Sequence, residues 1–66
     1  MIRLRVREIA VLQGHNMSSL ARASGVSFRT IKRIWRDPHT VITTDTLYKI
    51  AQALGEQVRE LIEEDK

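Results

Sequence analysis

Sixty-six residues without a cysteine, 42% hydrophobic and 29% charged, describe one small domain (1–66) with a thin core, no disulfide and no thiolate metal site. No apolar run approaches the roughly 18 residues of a membrane span and no signal-peptide pattern opens the chain. The net charge of +3 hides a division: residues 1–36 hold eight cations against Glu8 alone, and residues 37–66 hold three against seven carboxylates. A soluble, cytoplasmic protein is therefore expected, with one face set aside for a polyanion and a homodimer to bury further apolar surface.

In chain order, Ile2-Arg3-Leu4-Arg5-Val6-Arg7 alternates with period two, which leaves a short strand or extended arm open for the first four residues. From about Arg5 a first helix is expected, with Ile2, Val6, Ile9, Ala10 and Leu12 roughly on one apolar face and an end at Gln13-Gly14. Gly14 suits a left-handed helix end, and Asn16 is a strong N-cap. A second helix over Met17 to Ser24 turns Leu20 and Ala21 inward and breaks at Gly25. Ser27 caps a third helix from Phe28 to Arg36, which Asp37-Pro38 stops, because the residue before proline is pushed out of helical conformation. After a loop, Thr43 or Thr44 caps a fourth helix with Leu47, Ile50, Ala51 and Leu54 on one stripe. Glu56 to Glu63 reads as a fifth, with Val58, Leu61 and Ile62 as its apolar residues, and the acidic tail Glu63–Lys66 is expected to fray. The sum is an all-α, compact bundle of five short helices without a sheet.

The third helix carries the functional signal. Ile31, Ile34 and Trp35 make an apolar edge, Trp35 packing toward the core. Arg29, Lys32, Arg33 and Arg36, at i, i+3, i+4 and i+7, make a basic stripe. Like charges at this spacing repel by a few tenths of a kcal/mol per pair, and no acid occurs between Glu8 and Asp37 to relieve them. A polyanion on that face makes sense of the stripe. The planar fork of Arg29 and Arg33 matches the O6/N7 edge of guanine, and Phe28 either touches a thymine methyl or packs under the second helix. Lys32 and Arg36 suit phosphate contact better than base reading.

Counted from Met17, Leu20, Ala21, Gly25, Val26, Ile31 and Ile34 stand at places four, five, nine, ten, fifteen and eighteen. This spacing resembles the helix-turn-helix, at about residues 16–36, of the phage-repressor family (Cro/CI-like, XRE-type). Residues 14–21, Ala23-Ser24-Gly25-Val26-Ser27, residues 46–55 and Val58-Arg59-Glu60-Leu61-Ile62 extend the likeness over essentially the whole chain. The resemblance implies a lambda-repressor-like DNA-binding domain. It places phosphate contacts on Asn16, Met17 and Ser18 or Ser19, base reading on Phe28, Arg29, Lys32 and Arg33, and further phosphate contacts on Arg36, His39 and Thr40. The family often carries glutamine where Met17 stands, glutamate or tyrosine where Trp35 stands, and glycine where Asp37 stands.

The leading expectation is a transcriptional regulator, a repressor, that binds double-stranded DNA as a dimer. The alternatives are the antitoxin of a toxin–antitoxin pair, suggested by the short length, and a protein-interaction bundle that lost DNA binding, suggested by Met17. No cofactor is expected. His15 and His39 stand alone without cysteine or clustered carboxylates, so no metal site is expected. The serines have no base or oxyanion arrangement beside them, so no enzyme is expected.

Overall fold

The computed structural model describes residues 1–64. Its elements run β1 (Ile2–Leu4), α1 (Val6–Leu12), α2 (Met17–Ser24), α3 (Phe28–Arg36), α4 (Thr44–Leu54), a 3-10 turn (Val58–Leu61) and β2 (Ile62–Glu64).

Polar side chains start three of the four helices. Asn16 accepts from the Ser19 N–H at 2.8 Å, Ser27 from Thr30 at 3.3 Å and Thr43, rather than Thr44, from Thr46 at 3.1 Å. Each bond satisfies a donor that the first helical turn leaves without a partner. Between α2 and α3 the backbone reverses at Gly25, whose φ of +74° is left-handed, a conformation a Cβ disfavours. Ser24 secures the turn by donating to the Leu20 carbonyl at 2.7 Å and accepting from the Val26 N–H at 3.2 Å.

The periodic residues then meet in one core. Val6 and Ala10 of α1, Leu20 of α2, Ile31 and Ile34 of α3, and Leu47, Ile50, Ala51 and Leu54 of α4 are buried together with Leu4 and Leu61. Trp35 is half-buried and packs against this cluster, as its place on the apolar edge predicts. Gln13 ties α1 to α4 by donating to the Leu54 carbonyl at 2.7 Å.

Three expectations are corrected. First, α1 starts at Val6 with Arg5 at its N-cap, as expected, but its inward face is Val6, Ile9 and Ala10, without Leu12 or Ile2. Leu12 is 86% exposed because it stands six positions after Val6, on the far side of a 3.6-residue turn. Ile2 lies in β1, off the helix altogether.

Second, the bundle has four α-helices among the described residues, not five, and it carries a strand pair. Val58–Leu61 makes a single 3-10 turn, and the chain then extends as β2. β2 is antiparallel to β1, with Ile2 opposite Glu64, Arg3 opposite Glu63 and Leu4 opposite Ile62. The cause lies at the other end of the chain. Alternation buries Leu4 and leaves an extended backbone whose N–H groups need acceptors. Arg5 N–H donates to the Leu61 carbonyl and Leu4 N–H to the Pro38 carbonyl, each at 2.7 Å.

Third, Glu63 and Glu64, expected to fray, are held in β2. The rest of that tail, Asp65 and Lys66, lies outside the described residues.

Candidate nucleic-acid interface

α2, the Gly25 turn and α3 form a complete helix-turn-helix, with Leu20, Ile31 and Ile34 buried where the two helices cross. Burying that edge commits the opposite side of α3 to solvent. Arg29, Lys32, Arg33 and Arg36 are all exposed, and Phe28, at 46% exposure, stands out with them rather than packing fully under α2. The loop after α3 bends back beside this surface. Val41, Ile42, Thr43 and Thr46 border a depression of about 330 Å³ whose other wall is Thr30 and Arg33.

The start of α2 is organised by its own side chains. The Ser19 hydroxyl accepts from the Asn16 N–H at 2.9 Å and donates to the Asn16 carbonyl at 3.2 Å. His15 Nδ1 lies 2.9 Å from the same oxygen. Ser19 is thus committed to a reciprocal cap with Asn16. The Asn16 amide keeps its N–H₂, and Ser18 is exposed. Met17 is half-buried against the core, so its side chain serves packing. The backbone N–H groups of Met17 and Ser18, in the first turn, donate to no intrahelical carbonyl and are the donors this end of α2 offers an anion. In the loop after α3, His39 is exposed and Thr40 half-buried. Asp37 accepts from the His39 N–H at 3.0 Å and the Thr40 N–H donates to the Asp37 carbonyl at 3.1 Å, which fixes the loop's course.

Ion pairing divides the cations by location. Arg3 pairs with Glu8 and with Glu63 (2.9 Å), Lys49 with Asp45 (3.3 Å) and Arg59 with Glu60 (3.8 Å). The hydrogen bond that Arg3 donates to Glu8 holds its guanidinium protonated more firmly than usual, with the charges of Glu8 and Glu63 adding to it. Arg5, Arg7, Arg22, Arg29, Lys32, Arg33 and Arg36 make no ion pair among the described residues. Arg7, outside the motif, donates instead to the Trp35 carbonyl at 3.3 Å, a position that the helical wheel of α3 alone does not reveal. No group of three or more His, Asp or Glu gathers as metal ligands among the described residues.

Comparison with curated proteins and with solved structures finds no match. A family model described as the Cro/C1-type HTH DNA-binding domain matches residues 5–65, which takes in every helix, the 3-10 turn and β2 but not β1. The chain therefore belongs to the Cro/C1-type helix-turn-helix DNA-binding family.

Proposed function

We propose that this protein is a sequence-specific transcriptional regulator, a repressor, that acts on chromosomal DNA in the cytoplasm by inserting α3 into the major groove. The observation that carries this reading is the row of unpaired cations on α3. Among the described residues, no carboxylate is placed against Arg29, Lys32, Arg33 or Arg36. In this reading Arg29 and Arg33 address guanine edges, Phe28 a thymine methyl, and Lys32 either a base edge or a phosphate. Asn16, the N–H groups of Met17 and Ser18, Arg36, His39 and Thr40 fix the register on the phosphates, while Ser19 contributes by shaping the cap. Met17 lends little weight to a bundle that lost DNA binding, since the backbone N–H groups beside it supply what its side chain lacks.

Two copies on two half-sites about 34 Å apart would give the symmetry usual for such readers. A groove of about 390 Å³ supports a second copy as the partner. Among its walls are Ile2, Leu4, Val41, Ile42, Leu47 and Ile62, and no Asp, Glu, Lys or Arg among the described residues lines it. The strand pair merges the two ends of the chain into this one surface, and Val41 stands 87% exposed at its edge. Recovery of bound duplexes from a random pool tests the whole reading. A motif with two inverted half-sites is the expected result, and recovery of no preferred sequence would remove it.

A further inference from the structure

We propose that Arg7 is a phosphate-binding residue outside the helix-turn-helix, one that extends the DNA contact beyond the last turn of α3. The inference rests on the DNA-binding reading above and assigns it an additional residue.

Arg7 is the second residue of α1, where a cation opposes the helix dipole. It is exposed, forms no ion pair, and reaches across to the Trp35 carbonyl near the C-terminal end of α3. The neighbouring acid, Glu8, is engaged by Arg3, so no carboxylate among the described residues pairs with Arg7. The bond to Trp35 occupies one of five guanidinium N–H donors and fixes the head group in place; the other donors remain for a ligand.

Dimensions say which ligand. α3 has nine residues, about 13.5 Å at 1.5 Å per residue, against a major groove about 12 Å wide. With Phe28 and Arg29 at the bases, the far end of α3 must lie at the wall of the groove, and that wall is phosphate. Arg36 emerges at this end, and Arg7 is anchored one residue before it. A guanidinium held at a groove wall, with its charge unpaired and donors to spare, matches a phosphodiester oxygen.

The test is a salt titration of a fluorescently labelled mixed-sequence duplex with wild-type protein, Arg7→Gln, Arg7→Lys and the remote, ion-paired Arg59→Gln. Each neutralised phosphate adds about 0.9 to the slope of log K against log salt. Arg7→Gln should therefore flatten the slope by about 0.9, while Arg7→Lys and Arg59→Gln keep it. A merely structural role for Arg7 would lower the melting temperature of Arg7→Gln and leave the slope alone, which overturns the inference and spares the DNA reading. Absence of duplex binding by the wild type removes that reading itself. The Arg7 Nε–Hε resonance of the wild-type protein supplies a measurement free of variants: it should shift on addition of duplex, and an unmoved signal counts against the assignment.

Discussion

Arginines that project into water without a carboxylate partner are a cost the sequence accepts, and the cost is uneven along α3. Arg29 and Arg33 stand one turn apart on an exposed face, Arg29 in the first turn after the Ser27 cap and Arg33 in the last turn of the helix. Replacing either by alanine should lower affinity for the selected duplex by about 1–3 kcal/mol and relax preference at one base pair, read by binding to a panel of single-base variants. Arg36→Ala should instead weaken all duplexes alike. Equal sequence preference in wild type, Arg29→Ala and Arg33→Ala would reject base reading by these two side chains. At this scale the sequence was largely legible, because helical spacing alone places the stripe opposite Ile31 and Ile34. What it could not reveal was the commitment of Ser19 to the Asn16 cap, or the reach of Arg7 to Trp35. Both depend on where a flexible side chain finds its acceptor.

Among the elements, the turn between α2 and α3 sets the angle at which the basic face is offered. A Cβ at Gly25 would meet no heavy atom within 4 Å, so the position is demanding only through its φ of +74°. Gly25→Ala should accordingly cost about 1–2 kcal/mol, the penalty for left-handed backbone, measured by chemical denaturation. A loss far above that would point to packing the open space does not suggest. Leu20→Ala, at a fully buried position where α2 meets the core, should cost about 2–5 kcal/mol, a large fraction of the 5–15 kcal/mol stability typical of a native domain. The helices were readable because caps and apolar stripes agree along each of them. The last element was not. Val58, Leu61 and Ile62 have helical spacing, yet Leu61 enters the core while Ile62 sits opposite Leu4 in the strand pair. Only a partner sixty residues away in sequence decides between turn and helix there, and local pattern cannot see it.

Across the whole molecule, the charge division reads differently once pairs are assigned. Arg3 counts toward the basic half in the sequence, but Glu8 and Glu63 neutralise it at the strand pair. Arg3→Ala should leave the salt dependence of DNA binding unchanged while lowering the melting temperature slightly, since exposed ion pairs contribute little. Association through the groove beside the strands predicts a mass that rises with concentration for the wild type and stays monomeric for Val41→Glu, as sedimentation would read it. The closure of β1 on β2 has another result. Leu4 N–H donates to the Pro38 carbonyl and Arg5 N–H to the Leu61 carbonyl, so two adjacent amides hang on two different parts of the chain. A duplex that immobilises His39 and Thr40 steadies Pro38 too, and the Leu4 amide should then trade its proton for deuterium more slowly than before, with Arg5 less affected. The N-terminal strand would serve as a built-in reporter of occupancy at the loop after α3.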